Sequence, residues 1–190
     1  MFGLLLLLLV AYILGSIPFG KIIGQRSGID IQKHGSGNIG FANCLRVLGW
    51  KPASIVLIGD ILKGFIPVYF ALQIFPFELA MYVALAAIVG HVFPIWLKFN
   101  GGKGIATGLG ALFALHMPLA IACMTIWVIL FAVTRLNALA SVLMILSLPI
   151  LAMVVAIPMV SFSAALLTIG TWTHRKNIES LLNRSEKKLL

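Results

Sequence analysis

Residues 1–20 read MFGLLLLLLVAYILGSIPFG, an apolar run without a single charged side chain. An α-helix needs about 20 apolar residues to cross a bilayer, so this run predicts a transmembrane helix over residues 2–23. The stretch lacks the basic n-region and the A-x-A-like cleavage site of a secretory signal peptide. We therefore expect a first helix that is retained in the protein.

The rest of the chain has the same apolar character. Of its 190 residues, 61% are hydrophobic and only 10% are charged, whereas a soluble domain carries roughly 25% charged residues. These polar side chains are too few to cover a water-facing surface, so lipid must be the main solvent. The length allows roughly six or seven crossings and leaves no separate soluble domain. We predict a single integral membrane domain over residues 1–190.

The formal net charge of +9 comes from Lys and Arg residues that are gathered in the polar loops and the tail. This clustering is typical of the positive-inside rule rather than of nucleic-acid binding, because no basic stripe with interleaved aromatic residues is present. The two cysteines, Cys44 and Cys123, provide no disulfide framework and are expected to be packing residues. No Cys/His cluster has metal-ligand spacing, and we expect neither a metal nor a cofactor.

Prolines divide the remaining chain into segments. At His116-Met117-Pro118 the pattern allows one long helix or a break, because Pro removes a backbone donor and disfavours helix at the residue before it. Charge favours the break, since only then does Arg135 fall on the same side as the other basic residues. Besides the first helix, we expect a short interfacial helix at 38–48 and spanning segments at 52–75, 77–97, 104–115, 119–134, 137–158 and 160–172.

These segments predict an all-α, polytopic membrane protein with seven transmembrane segments. Its N-terminus would lie outside and its C-terminus in the cytosol, which places the Lys and Arg residues at or near the cytosolic face. The segment at 104–115 is too short to cross alone, so we expect other parts of the protein to shield it from lipid. Three polar clusters then fall on this same cytosolic side.

The first cluster is GSGNIG at 35–40, followed by Asn43 and Arg46. Its glycines free the backbone to turn, Ser36 and Asn38 offer neutral hydrogen bonds, and Arg46 can bind an anion with its planar fork. Asn43 and Arg46 are three residues apart and would share a helix face. A capped loop with an Arg that snorkels to lipid headgroups explains the pattern equally well.

The second cluster is HVFP at 91–94 followed by FNGGKGIAT at 99–107. A glycine-rich loop, Lys103 and a helix start are together typical of an anion site made from backbone amides. The spacing does not fit a Walker A loop, because Gly104 stands at the Ser/Thr position and the first Gly is missing. The alternative is a flexible interfacial turn with a headgroup-binding lysine.

The third cluster, THRKNI at 173–178, ends the last helix. His174 and Asn177 share a face at i, i+3 spacing, and a histidine can act as acid, base or anion ligand near neutral pH. A positive-inside stop explains Arg175 and Lys176 well, but explains His174 less well. Within the second spanning helix, Asp60 and Lys63 predict a structural ion pair, with a proton relay as the alternative.

Taken together, the motifs resemble the bacterial acyl-phosphate:glycerol-3-phosphate acyltransferase family over nearly the whole chain. The departures are Ala42 where Thr is expected, Ala138 where Ser is expected, and Arg184 where Gly is usual. The motifs that carry the resemblance are GSIPFG at 15–20, GSGNIG at 35–40 with Asn43 and Arg46, Asp60 with Lys63-Gly64, HVFP at 91–94, FNGGKGIAT at 99–107, TRLNALAS at 134–141 with Arg135 and Ser141, and HRKNI at 174–178.

The resemblance implies seven transmembrane helices in a bacterial inner membrane and a cytosolic active site. It also implies acyl transfer from acyl-phosphate to glycerol 3-phosphate, which gives lysophosphatidic acid and inorganic phosphate in phospholipid synthesis. Membrane lipid is the expected surrounding partner, nucleic acid is not expected, and the oligomeric state is not predicted. A small-anion transporter or channel is the alternative, although the predicted outer turns carry almost no polar residues.

The implied reaction assigns a role to each cluster. An acyl-phosphate is already activated, and no Ser-His-Asp or Cys-His nucleophile system is evident in the sequence. We therefore expect direct attack by the glycerol hydroxyl, with Lys103 stabilising charge and either the leaving phosphate or His174 accepting the proton. The predicted catalytic residues are Lys103, His174 and Asn177. The predicted substrate-binding residues are Gly101, Gly102, Gly104 and Thr107 for the acyl-phosphate, and Ser36, Asn38, Asn43, Arg46 and Ser141, with His174 and Asn177, around glycerol 3-phosphate.

Overall fold

The computed structural model describes residues 1–186 and 188–189, and within them the protein is all-helical, as predicted. Three short 3₁₀ turns, Ile31–Lys33, Ile95–Leu97 and Ile157–Met159, join some of the helices. The α-helices in this part of the chain are α1 (Phe2–Gly15), α2 (Phe19–Arg26), α3 (Phe41–Leu48), α4 (Trp50–Ile74), α5 (Phe77–Val92), α6 (Ile105–Leu115), α7 (Met117–Thr134), α8 (Asn137–Val155), α9 (Val160–Thr173) and α10 (Arg175–Leu182).

Among the described residues, 5 helical segments are long and apolar enough to cross a membrane. They are Phe2–Arg26, Trp50–Ile74, Phe77–Leu97, Met117–Thr134 and Asn137–Val155, and the shorter apolar helices Ile105–Leu115 and Ile157–Thr173 accompany them. These segments overlap the ones expected from the sequence. The count of seven crossings and their orientation stay predictions.

The first predicted helix is interrupted, which corrects the expectation of one helix over residues 2–23. The chain leaves α1 after Gly15 and enters α2 at Phe19, with Pro18 between them. Pro18 has no N–H to donate into the preceding turn and disfavours helix at Ile17. The hydroxyl of Ser16 donates to the Tyr12 carbonyl over 2.8 Å, within the turn that ends α1.

Three other boundaries differ from the sequence prediction. Helix α3 begins at Phe41 rather than at residue 38, because the Asn38 side chain accepts a hydrogen bond from the Gly40 N–H over 2.8 Å and holds a turn there. Helix α5 ends at Val92, before Pro94, rather than continuing to residue 97. Helix α8 ends at Val155, three residues short of Pro158.

The predicted break before Pro118 is present. Helix α6 ends at Leu115, and α7 begins at Met117 with His116 as its N-cap. The Nδ1 atom of His116 accepts a hydrogen bond from the Leu119 N–H over 3.2 Å, which satisfies one of the amides that a helix start leaves without a partner. His116 at the predicted break therefore caps a helix.

The chain divides into two compact units, Met1–Leu115 and His116–Leu190. In the first unit α1 packs against α5 and α4 against α6. Both contacts are close because glycines face backbone: a Cβ at Gly90 would collide with the Tyr12 carbonyl, and one at Gly110 with the Ile61 carbonyl. Small residues that let backbones approach are typical of helix packing in membranes. The single domain expected over residues 1–190 stays a prediction.

In the second unit α8 packs between α7 and α9. The Trp127 indole donates to the Ser141 hydroxyl over 3.1 Å, joining α7 to α8. Gly170 of α9 lies against the Ile145 side chain of α8, where an added Cβ would come within 2.8 Å of it. At the C-terminus, the Leu189 N–H donates to the Arg135 carbonyl over 3.0 Å, so the tail returns to the turn between α7 and α8.

Both cysteines are buried, as expected of packing residues. The Sγ atom of Cys44 lies 3.7 Å from the Ile39 carbonyl oxygen. Burial raises the pKa of the Cys44 thiol to about 12. Because the thiolate is the nucleophilic form, Cys44 is unsuited to nucleophilic catalysis near neutral pH.

Candidate active site

Asn43 organises the first polar cluster from the first turn of α3. Its side-chain oxygen accepts the Ser36 N–H over 2.8 Å. Its amide nitrogen lies 3.1 Å from the Ile31 carbonyl oxygen, 3.0 Å from that of His34 and 2.9 Å from that of Asn38. These contacts fold the loop over one buried amide, so the structure gives Asn43 a role in shaping the loop, and direct substrate contact stays a prediction.

The other members of this cluster have different surroundings. Ser36 and Arg46 are exposed and Asn38 is half-buried, whereas Asn43 is 2% exposed. The shared face expected for Asn43 and Arg46 is therefore divided, because Asn43 points into the loop and Arg46 towards solvent. Arg46 is therefore accessible from outside the loop, and its contact with an anion stays a prediction.

An ion pair that was not predicted from the sequence supports the start of this loop. The Lys21 Nζ atom of α2 lies 2.5 Å from the Asp30 Oδ1 atom. This hydrogen bond lowers the pKa of the Asp30 carboxyl below its usual value. Asp30 also accepts the Gln32 N–H over 3.2 Å and so caps the turn at Ile31–Lys33. The eight residues between Lys21 and Asp30 give no local pattern from which the pair could be predicted.

The first and second clusters lie at the same end of the first unit. The Gln32 side-chain nitrogen is 3.5 Å from the Asn100 carbonyl oxygen, across 68 positions of sequence. Asn100 immediately precedes the glycine loop, Gly101–Gly102–Lys103–Gly104. The fold therefore brings these two predicted clusters together, as the expectation of a shared face requires.

The glycine loop is held on the last turn of α5. The Gly101 N–H donates to the Val92 carbonyl over 3.1 Å and the Gly102 N–H to the His91 carbonyl over 3.0 Å. A Cβ at Gly102 would coincide with the His91 imidazole, and one at Gly101 would meet the Pro94 ring and the His91 carbonyl. These two amides are thus already hydrogen-bonded, and the structure gives Gly101 and Gly102 a packing role. Their substrate contact stays a prediction.

The end of the loop leads directly into α6. Gly104 has a φ of 82°, which a residue with a side chain rarely adopts,. The N–H groups in the first turn of a helix lack an acceptor in a preceding turn, and proteins often bind anions at such a position. Thr107 lies in this turn of α6, and anion binding here stays a prediction. The Thr107 hydroxyl is fully buried and has no hydrogen-bond partner among the described residues. Lys103, beside this helix start, is half-buried.

A buried charged cluster lies beneath the loop. Lys63 Nζ is 2.7 Å from Asp60 Oδ1, which confirms the ion pair expected from their i, i+3 spacing. Lys63 also donates to the Ile17 carbonyl in the break between α1 and α2 over 2.8 Å. The His91 Nδ1 atom is 3.5 Å from the same Asp60 oxygen. His91 belongs to the HVFP motif, and its nearness to Asp60 could not be predicted from the sequence, because only the packing of α5 beside α4 brings the two residues together.

His174 lies at the junction of α9 and α10 in the second unit and is 1% exposed. Its Nδ1 atom is 2.9 Å from the Gly170 carbonyl oxygen and 3.4 Å from the Thr173 hydroxyl. Because a carbonyl only accepts, Nδ1 carries the proton of this hydrogen bond. In neutral His174 the lone pair is then on Nε2, where it can accept a proton or a hydrogen bond.

Asn177 and Ser141 are the other predicted site residues of the second unit. The Asn177 amide donates to the Glu186 carboxylate over 3.4 Å, and the Ser180 hydroxyl donates to the same carboxylate oxygen. Ser141 is buried and receives the Trp127 hydrogen bond, so its own hydroxyl hydrogen can still be donated. Glu186 and Trp127 were not predicted, because neither is close in sequence to the residue that it contacts.

A sequence model of a family described as glycerol-3-phosphate acyltransferase matches residues 5–184. The chain belongs to this family. It is 43% identical over 189 residues to a glycerol-3-phosphate acyltransferase from Endomicrobium trichonymphae, covering 97% of this chain and 95% of the relative. A glycerol-3-phosphate acyltransferase from Myxococcus xanthus is 40% identical over 187 residues, covering 96% of this chain and 97% of the relative.

Two solved structures extend the likeness of this acyltransferase family member to three dimensions. Both are crystal structures of PlsY (YgiH), an integral membrane glycerol 3-phosphate acyltransferase, one in the glycerol 3-phosphate form and one in the lysophosphatidic acid form. Each has a TM-score of 0.92 and 34% identity to this chain, and covers 98% of this chain and 95% of the solved one. The chain is thus an acyltransferase of a multi-pass membrane type. This finding favours the enzyme over the small-anion transporter that composition had left open.

Proposed function

We propose that this acyltransferase takes its acyl group from acyl-phosphate and transfers it to glycerol 3-phosphate at the cytoplasmic face of a bacterial inner membrane, with seven crossings. The products would be lysophosphatidic acid and inorganic phosphate, the entry step of phospholipid synthesis. The proposal rests on one observation above the others: the Thr107 hydroxyl, buried and without a partner in the described part of the chain, lies in the first turn of α6 beside Lys103. Such a site suits a phosphate group.

The proposed reaction needs no covalent intermediate. The glycerol 1-hydroxyl attacks the acyl carbonyl carbon, a new ester C–O bond forms, and the bond between the acyl carbon and the phosphate oxygen breaks. The hydroxyl proton passes to the leaving phosphate or to the Nε2 atom of His174. Positioning of the two substrates supplies much of the rate, and Lys103 stabilises the developing negative charge.

The proposal keeps a role for each predicted site residue. In the first unit, Lys103, Gly104 and Thr107 bind the acyl-phosphate head, and Gly101 and Gly102 set the position of the loop. Arg46, Ser36 and Asn38 meet the glycerol 3-phosphate, while Asn43 holds their loop in shape. In the second unit, His174, Asn177 and Ser141 offer hydrogen bonds to glycerol 3-phosphate. The acyl chain is drawn from the bilayer.

The donor is tested by product analysis with purified protein. Acyl-phosphate, acyl-CoA and acyl carrier protein are offered in turn with glycerol 3-phosphate, and lysophosphatidic acid and released phosphate are measured. We expect turnover with acyl-phosphate and equal amounts of the two products. Turnover only with acyl-CoA or acyl carrier protein contradicts the proposed donor. Uptake of glycerol 3-phosphate into sealed liposomes, without acyl transfer, would instead favour a transporter.

A further inference from the structure

We infer that His91 is a positioning residue for the glycine loop: its imidazole, held beside Asp60, supports Gly102 and thereby sets the place of Lys103 and the start of α6. The inference rests on the proposed function, because it concerns how the proposed phosphate site is kept in shape. It assigns a role to a side chain that lies behind the site and that no proposed substrate contact involves.

Direct contact between the imidazole and the loop is the first observation. A Cβ built on Gly102 would fall on the ring, within 2.8 Å of Cε1 and 2.9 Å of Cδ2, and closer still to Nε2. The ring therefore occupies the space that any side chain at position 102 would need. The Gly102 N–H also donates to the His91 carbonyl over 3.0 Å. Gly102 is therefore in contact with both the imidazole ring and the backbone carbonyl of His91.

The second observation is the arrangement behind the ring. His91 is 3% exposed, and its Nδ1 atom lies 3.5 Å from Asp60 Oδ1. Among the described residues this atom has no hydrogen-bond partner, so its contact with Asp60 is one of proximity and charge. Asp60 is in turn fixed by Lys63 over 2.7 Å. Lys63 is anchored on the Ile17 carbonyl over 2.8 Å. A series of polar contacts through Asp60 and Lys63 thus connects the imidazole to the break between α1 and α2.

The same turn of α4 also contacts the start of α6. A Cβ at Gly64, next to Lys63, would collide with the Thr107 carbonyl of α6. Helix α4 therefore meets the start of α6 directly at Gly64, and meets the glycine loop indirectly through Asp60 and His91. Lys103 lies between these two supports in the sequence. A shift of the loop by the size of a methyl group would move Lys103 relative to the Thr107 hydroxyl, and catalytic geometry is sensitive to displacements of about 1 Å.

The test is a double-mutant cycle on His91 and Gly102. His91→Asn keeps an amide donor for Asp60 but removes the ring beneath Gly102. Gly102→Ala adds the methyl group for which the ring leaves no space. If His91 acts through Gly102, each single variant raises the KM for acyl-phosphate by about tenfold or more, and the double variant is less impaired than the product of the two effects by at least about fivefold.

The controls separate positioning from a loss of stability. Val83→Ala truncates a fully buried side chain of α5 and should lower the unfolding temperature without changing the KM for acyl-phosphate. If His91 has a purely polar role, the His91→Asn protein should keep the wild-type KM for acyl-phosphate. His91→Asn with normal KM, or a double variant whose defect equals the product of the single defects, overturns the inference.

The KM for glycerol 3-phosphate, the acceptor substrate, shows which of the two substrates the loop serves. The KM for glycerol 3-phosphate should change by less than about twofold in the same variants, because the loop is assigned to the acyl-phosphate. If the KM for glycerol 3-phosphate rises instead, with the same coupling, the positioning role stands and the loop is reassigned to that substrate. If the wild-type protein uses another acyl donor, the proposed donor fails independently, and the cycle is measured with the donor that works.

Discussion

Lys103 stands between two buried glycines and is itself half-buried at the start of α6. The role proposed for this cation is to bind a phosphate or to stabilise charge that develops on it. We expect Lys103→Ala to lower turnover by about 100-fold or more, the scale on which removal of a preorganised electrostatic group acts. The protein should still insert and purify, because Lys103 lies in the loop between α5 and α6 rather than inside a helix.

The matched control for this change is Lys51→Ala, in the exposed first turn of α4. It removes the same charge from the protein and should leave turnover close to that of the wild type. Turnover of the Lys103→Ala protein within a few-fold of the wild type would mean that the glycine loop is only a turn.

His174 presents the mechanistic choice at a single residue. Its Nδ1 atom is held by the Gly170 carbonyl, which stabilises an imidazolium less than a carboxylate would. We therefore expect the leaving phosphate to accept the proton. His174→Gln, which keeps a hydrogen-bond donor, should then retain substantial turnover and lose mainly affinity for glycerol 3-phosphate. His174→Ala should be much worse, because it leaves polar groups unpaired.

The measurement is turnover of both variants at saturating glycerol 3-phosphate across a range of pH. Equal collapse of the Gln and Ala variants, together with an acidic limb in the wild-type rate, would identify His174 as the general base instead.

At the scale of helices, two glycines of α6 differ in the space around them, and only Gly110 lies against α4. A Cβ at Gly110 would collide with the Ile61 carbonyl, whereas a Cβ at Gly108 would only touch the Ile88 side chain at 3.9 Å. Gly110→Ala should therefore lower the free energy of unfolding by about 1–3 kcal/mol, the range for overpacking. Gly108→Ala, two residues away on the same helix, should be neutral or stabilising by up to about 1 kcal/mol. Thermal unfolding in detergent compares the two, and equal effects would argue against close α4–α6 packing.

The ion pair of α4 belongs to the same scale, because it ties this helix to the break between α1 and α2. Removal of one partner leaves a buried charge uncompensated, which typically costs about 3–5 kcal/mol. We expect Asp60→Ala and Lys63→Ala each to lower the unfolding temperature strongly and the double variant to regain part of the loss. Glu78→Ala, at an exposed acidic position of α5, is the control. Single variants that are stable but inactive would support a proton relay instead.

At the scale of the whole molecule, the basic residues predict one cytosolic face for all three clusters. Single cysteines at Ser36, Asn100 and Arg175, which are all exposed, should react with a membrane-impermeant reagent only from the cytosolic side. A cysteine at Glu78, on the predicted outer turn, should react only from outside. The buried Cys44 and Cys123 are replaced first. Labelling of any of the three cluster positions from outside alone would exclude a shared cytosolic site.

Local features of the sequence determined most of the helical pattern. The lengths of the apolar runs located the spanning segments, Pro118 located the break after α6, and the i, i+3 spacing predicted the pair of Asp60 and Lys63. Each of these follows from interactions within about one helical turn or from the transfer of a continuous segment into lipid. The missed interruption at Pro18 was equally local, but the long apolar run concealed it.

Only the tertiary structure decided how the polar residues divide between binding and support. The amides of Gly101 and Gly102 are hydrogen-bonded to carbonyls of α5. The Asn43 side chain is hydrogen-bonded within its own loop. His91 lies beside Asp60. These contacts join residues that lie far apart in the chain or in loops without regular periodicity. No repeating pattern in the sequence therefore predicts them. A buried polar group must find its partner wherever packing places one, and packing is a property of the folded chain.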